Sequence, residues 1–446
     1  MENLKFKMEN QKSRIRVSFA FYFAIFVLAS CSSQRQLGKK ASSSLLGKKE
    51  LSTANIGISV FDPSTNKYLY NYQADHYFIP ASNTKLFSLY AGLKYLHDSL
   101  VAARITLEDG TAFVQATGDP TFLHPDFKNQ PLLKFLQQKN ISAVRLNTAF
   151  ASKSFGKGWA WDDYPYDYMA ERDPFPIYGN VATIFYEGDS IRTIPPAIKP
   201  FVIGTPEKGK RWDVTRELAA HFYTVDTTKG SLSQKKTITM AMERGLFASR
   251  YLADTLHKEV ITDYSPQNSD QSFPIYSQPK DSLFKIMMHR SDNFFAEQTL
   301  LMASQEYLGE MNDGKMIDTL LKTDLKDLPQ KPRWVDGSGL SRYNLFSTND
   351  FVWILKKLED EFGLERIKII LPGANEGTLE GRYKGYEKRI FAKTGTVSNN
   401  LALSGYLITK KNRHLIFSVM VNNYQAANAF VRQGIESFIS SIIDRY

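Results

Sequence analysis

The sequence predicts an α/β chain of the α+β kind: an antiparallel sheet flanked by helices, with a large inserted β-rich region. Strand patterns at both chain ends and a long, turn-rich stretch between them point to this fold. Near the start, Ile56, Ile58 and Val60 alternate with smaller or polar residues, as in a half-buried strand. Asp62 to Asn66 is a turn cluster, and Lys67 to Tyr72 is the returning strand. After Pro80, residues Ser82 to Leu96 form a helix with Leu86, Leu89, Leu93 and Leu96 on one face.

The other end mirrors this. Arg389 to Val397, Leu401 to Thr409 and His414 to Val421 are strand-like, with a turn at Lys410 to Arg413. A last helix carries Val431, Ile435, Phe438 and Ile442. Strands from both ends then join in one sheet, which makes residues 101–269 an insertion into a domain of 51–100 and 270–446.

The chain has 446 residues, enough for two or three domains with a substantial core. Its first 30 residues read as an export signal. Lys5, Lys7, Lys12, Arg14 and Arg16 form a basic head, with Met8 as an alternative start. The apolar run Val17 to Ala29 is too short to span a bilayer but suits a signal peptide. Leu28-Ala29-Ser30-Cys31 resembles a bacterial lipobox, so Cys31 is the candidate lipidation site. It is the sole cysteine, which excludes an intramolecular disulfide. Residues 31–50, rich in Ser, Gly and Lys, read as a flexible tether. Such an anchor attaches a protein to a membrane without a spanning helix. Ser32, rather than Asp, after the cysteine points to the outer membrane and a periplasmic location, by analogy with lipoprotein sorting.

Residues 1–30 carry five basic and two acidic residues, so the formal charge falls from +10 to +7 without them. That balance suits simple solubility as well as anionic lipid or wall polymer. There is no basic helix and no nucleic-acid motif, so no nucleic-acid partner is expected. Seven scattered histidines show no H-E-x-x-H spacing, so a zinc hydrolase is not expected, and the reading reached below from the motifs needs no cofactor.

Three short motifs carry chemistry: Ser82-Asn83-Thr84-Lys85, Ser291-Asp292-Asn293 and Lys393-Thr394-Gly395. Singly, the first two are weak. S-x-x-K occurs six times and S-x-N four times, whereas K-T-G occurs once. Context selects among them. Only Ser82 follows a loop and opens a long apolar helix, where free N–H groups favour developing negative charge. Lys85 lies one turn on, and a desolvated lysine can act as a base. Ser291 ends a helix-like run from Leu283 to Arg290. Lys393 to Thr396 lie on a strand, where Gly395 leaves room for a ligand backbone. The bland alternatives are a helix cap, a polar helix end and an edge-strand glycine; their joint occurrence in this order outweighs them.

In this order the motifs match the signature of class A β-lactamases and penicillin-binding proteins. The gap of over 200 residues between Lys85 and Ser291 narrows the match. So do Gly118-Asp119-Pro120-Thr121, Gly158 to Asp163, Asp336 to Arg342 and Gly377-Thr378-Leu379. From about 52 to 440 the chain resembles the class C low-molecular-mass penicillin-binding proteins, D-alanyl-D-alanine carboxypeptidases/endopeptidases with a large insertion. It departs from their pattern at Asp173 to Asn180.

The resemblance implies a DD-peptidase/β-lactamase-like fold and a serine hydrolase acting on peptidoglycan stem peptides, with β-lactams as acylating inhibitors. It implies that Ser82 is the nucleophile, Lys85 its base and Ser291 a proton relay. Asn293 would hold the substrate amide. Lys393, Thr394 and Thr396 would serve the substrate carboxylate, beside Gly395. Rival readings are a β-lactamase and a non-catalytic wall-binding or sensor protein. No Glu is placed to deacylate as a β-lactamase must, and a dead copy would be free to lose these motif residues. The aromatic cluster Trp159, Trp161, Tyr164, Tyr166 and Tyr168 is read as core packing of the insertion rather than as a glycan platform. Asp336 to Arg342 is read as a loop that shapes the site.

Overall fold

The computed structural model describes residues 34–187, 190–206, 212–217, 222–227, 234–243, 245–264 and 271–446. Cys31 and the expected signal segment lie outside the described residues.

Both chain ends build the central sheet. Strands β1 (Asn55–Asp62) and β2 (Lys67–Tyr72) join β3 (Ile390–Val397), β4 (Asn400–Ile408) and β5 (His414–Asn422). The order is β3-β4-β5-β1-β2, and every pairing is antiparallel. Ser59 faces Ser418, and Ser404 faces both Ser418 and Lys393.

Alternation along β5 sorts its side chains between two cores. Leu415, Phe417, Val419 and Val421 join the core under helix Asn428–Arg445, with Phe438 and Ile442. Ile416 and Met420 point the other way. There they meet α1 (Lys85–Tyr95), α2 (Lys280–Arg290), α3 (Asn293–Leu308) and α4 (Thr348–Phe362). Both faces are covered, so β5 is buried almost throughout. At full burial, each large apolar side chain contributes roughly 1.5–3 kcal/mol.

Two boundaries differ from expectation. Residues 34–46 are helical, so the stretch read as a flexible tether is packed from residue 34 onward. The reason is a stripe at every fourth position: Leu37, Ala41 and Leu45 are buried with the C-terminal helix. Gly434 makes room there, since a Cβ would lie 2.7 Å from Ser44 O. The insertion also ends later than 269. Strand Phe273–Pro279 pairs with Ser99–Glu108 in the inserted sheet, and the helical part of the main domain resumes at Lys280.

That inserted sheet is mixed. Its order is Glu259–Asp263, Ala143–Asn147, Thr111–Ala116, Ser99–Glu108 and Phe273–Pro279. Among the described residues, two three-stranded sheets complete the region, which has its own apolar core. Gln298 of α3 ties it to the main domain, its Nε2 donating to Gly118 O (2.8 Å) and Asp173 O (2.9 Å). Asp173 to Asn180, where the family pattern breaks, helps form this seam. Asn180 Oδ1 accepts from Ile177 N, and Nδ2 donates to Glu171 O.

Candidate active site

A short 3-10 turn, Ala81–Thr84, leads into α1 and presents Ser82. Ala81 has φ +48°, a left-handed conformation just before the serine. Two close approaches fix this turn. Asn83 Nδ2 donates to Ser404 Oγ on β4 (2.7 Å). Gly339, at φ +81°, lies so near Ala81 O that no Cβ would fit. A Cβ on Gly395 would lie 2.5 Å from Pro80 O and 3.1 Å from Ser82 N. Glycine therefore brings edge strand β3 against the serine.

Lys85 is fully buried, one turn below Ser82. Its Nζ lies 2.9 Å from Ser82 Oγ and donates to Asn293 Oδ1 (2.6 Å) and Ser338 O (2.7 Å). Burial lowers its pKa to about 8, against the opposing charges of Asp336, Asp292 and Glu297. A neutral amine has two hydrogens and one lone pair. Asn293 and Ser338 can take the two hydrogens, leaving the lone pair for the Ser82 hydroxyl.

Ser291 caps α2 in the left-handed conformation, φ +61°. Its neighbour Asp292 caps α3 by accepting from Phe295 N, which places Asn293 at the first helical position. Lys393, also fully buried, donates to Ser291 Oγ (2.8 Å) and Thr394 O (2.8 Å). Burial, and then the charge of Lys85, pushes its pKa well below the ordinary lysine range.

The cleft has two arms that meet at Ser82 and Ser291. One, a cavity of about 280 Å³, is lined by Thr394, Thr396, Thr378, Arg382 and Arg432 among others. The second, about 400 Å³, is lined by Asn293, Asp162, Asp163, Tyr168, Leu340 and Arg342 among others. The three motifs thus converge on one place: Lys85 links Ser82 to Asn293, Lys393 holds Ser291, and Ser82 and Ser291 line the same cleft.

The family model for the D-Ala-D-Ala carboxypeptidase 3 (S13) family matches residues 39–442. The chain belongs to that family. As an S13 member it is a serine-type DD-peptidase, a hydrolase. It is 22% identical over 419 residues to the D-alanyl-D-alanine carboxypeptidase DacB of Haemophilus influenzae, covering 84% of this chain and 87% of that one. It is 25% identical over 449 residues to the D-alanyl-D-alanine carboxypeptidase of Actinomadura sp. strain R39, with 85% and 80% covered. Its fold matches the crystal structure of penicillin binding protein 4 from H. influenzae with a TM-score of 0.75 at 19% identity, covering 91% of this chain and 99% of that one.

Three features of this S13 site depart from the sequence reading or escape it. First, the aromatic cluster is not core. Trp161, Tyr166 and Tyr168 are 72%, 49% and 41% exposed, and Trp159 and Tyr164 are half-buried. Tyr166 and Tyr168 stack at 5.4 Å, and Tyr168 borders the cleft, where its carbonyl accepts from Asn293 Nδ2 (2.9 Å). Aromatic content alone does not say which way a loop faces. Second, Ser338 supplies the carbonyl that holds Lys85, so the loop around it reaches the buried lysine directly. Asp336 shapes that loop by accepting from Gly339 N, Ser341 N, Asn344 Nδ2 and Trp159 Nε1. Third, Glu297 is fully buried and accepts from Ser338 N (2.7 Å), and no sequence motif marks it.

Proposed function

We propose that the chain releases the terminal D-Ala from peptidoglycan stem peptides through an acyl-enzyme on Ser82, and cleaves D-Ala-containing crosslinks by the same route. The carrying observation is Lys85 Nζ, buried and 2.9 Å from Ser82 Oγ, with its other contacts saturated by acceptors.

Neutral Lys85 takes the Ser82 proton as Oγ attacks the D-Ala carbonyl. The N–H groups of Ser82 and Thr396 receive the oxyanion, worth roughly 3–4 kcal/mol of barrier for such a donor. Ser291, held by Lys393, passes a proton to the leaving amine. Water then releases the acyl group. Thr394 and Thr396 take the substrate carboxylate. One Nδ2 hydrogen of Asn293 is engaged by Tyr168 O, and the second serves the substrate amide. Cys31 is the lipid anchor, holding the enzyme in the periplasm at the outer membrane.

Purified muropeptides, analysed by mass spectrometry before and after treatment, test this reading. Loss of terminal D-Ala is expected, and crosslinked dimers should also decline. Muropeptides left intact, together with rapid penicillin turnover, would instead identify a β-lactamase; no reaction with either would identify a wall-binding protein.

The rate of acylation should rise with pH through about 8 and level off above it. The base must be unprotonated, and burial places the Lys85 pKa near 8. Stopped-flow acylation by a chromogenic β-lactam between pH 6 and 10 reads this directly. A flat profile would remove Lys85 as the base.

A further inference from the structure

The two arms of the cleft differ in charge. The arm beside Asn293 carries Asp162 and Asp163 with Arg342. The arm beside Thr394 carries Arg382 and Arg432 and no acidic lining residue. Arg432, on the C-terminal helix, is half-buried and donates from Nη2 to Thr396 Oγ1 (3.3 Å). Among the described residues, neither guanidinium is paired with a carboxylate. Glu436, the nearby acid on the same helix, is engaged instead by Tyr383 N (2.7 Å).

Two half-buried like charges without a counter-ion are unfavourable unless an anion is to be bound. Burial, and then the charge of Arg382, both press the Arg432 guanidinium below its ordinary pKa. The same wall holds a buried hydroxyl, Thr378 Oγ1, with no hydrogen-bond partner. Leu379, Leu401, Leu403 and Ile435 line the rest and limit solvent around the charges. An anion entering here would replace missing partners rather than displace existing ones.

We propose that Arg432, backed by Arg382, is the specificity-determining clamp for the free α-carboxylate of the leaving residue, acting together with Thr394 and Thr396. This inference rests on the DD-peptidase reading, and adds that the enzyme discriminates a carboxylate from a neutral end. A planar guanidinium suits a carboxylate because it can donate two parallel hydrogen bonds. Thr396 then both contacts the substrate and orients Arg432.

The test compares two stem peptides, one ending in D-Ala-D-Ala with a free acid and one with that end as a carboxamide. Wild type should favour the acid. In Arg432→Gln the acid-to-amide ratio of kcat/KM should fall about 10–100-fold, the range expected for a charged hydrogen bond. Arg432→Lys should recover part of the ratio, and Arg382→Gln should lower it less. Thermal unfolding of each variant separates folding loss from selectivity loss. A ratio unchanged in Arg432→Gln, with wild type active, overturns the clamp and leaves the DD-peptidase reading intact. Wild type that cleaves neither peptide and forms no penicillin adduct overturns both.

Discussion

Ser82→Ala should abolish labelling by a fluorescent penicillin and cut D-Ala release on the order of 10⁴-fold or more, since no covalent intermediate can form. The variant should still fold. Ser82 Oγ has Lys85 as its hydrogen-bond partner, and Lys85 keeps Asn293 Oδ1 and Ser338 O when that hydroxyl is removed. The stability change expected is about 1 kcal/mol or less, which a thermal midpoint would confirm. Two other S-x-x-K serines are already engaged. Ser64 and Ser277 spend their hydroxyls on Asp62 and Asp119. A labelled Ser82→Ala protein would therefore move the nucleophile elsewhere and sink the assignment.

The motif residues were legible because each sits where local structure is decided by neighbours in sequence. Ser82 opens a helix, Ser291 closes one, and Lys393 lies on a strand. The antiparallel sheet was legible too: Ile56, Ile58 and Val60 alternate, the later strands are apolar runs bounded by turns, and the two ends of the chain each supply a contiguous part. What escaped depends on contacts across the fold. Ser338 holds Lys85 from 253 positions away, and Tyr168 holds Asn293 from 125. No periodicity reports such a contact. Segment 34–46 was misread for a different reason. Ser, Gly and Lys dominate the longer stretch 31–50 in which it lies, while three small or medium apolar residues at four-residue spacing decide its packing. Composition weighs every residue equally, whereas burial depends on which face each one occupies.

Glu297 shows how far support for the site extends beyond the motifs. It lies one turn into α3 from Asn293, the same i to i+4 offset that stacks side chains along a helix. Its Oε1 accepts from Ser338 N, whose own carbonyl holds Lys85. Its Oε2 faces Arg172 Nη1 at 3.4 Å. Burial, with the charge of Asp336 adding to it, raises its pKa to about 7, against the pull of Arg172. The chain of contacts therefore runs Arg172, Glu297, Ser338, Lys85, and it begins in the insertion and ends at the lysine proposed as the base.

Arg172→Ala should therefore be the most destabilising single change at this seam, by about 3–5 kcal/mol, the range for removing one partner of a buried ion pair. Arg172 is almost fully buried, and its Nη1 donates to Asp313 Oδ2 at 2.6 Å as well as to Glu297. Its Nε and Nη2 donate to Lys153 O and Phe155 O, and its guanidinium lies over Trp159 at 5.6 Å. Alanine would leave the buried Glu297 carboxylate, the largely buried Asp313 carboxylate and two carbonyls without this donor. Asp313 would feel it more than Glu297. Burial tends to raise the Asp313 pKa, yet Arg172 and Ser152 hold it below the usual value. Glu297, already near 7, can escape part of the cost by taking a proton. Asp313→Asn in the Arg172→Ala background should thus recover more stability than Glu297→Gln does, read by denaturant midpoints of the four variants. Arg172→Lys should rescue little, because an ammonium lacks the fork that reaches both carboxylates and both carbonyls. Loss of under about 1 kcal/mol in Arg172→Ala would show that the network is solvated and that other contacts, those of Gln298 among them, hold the insertion.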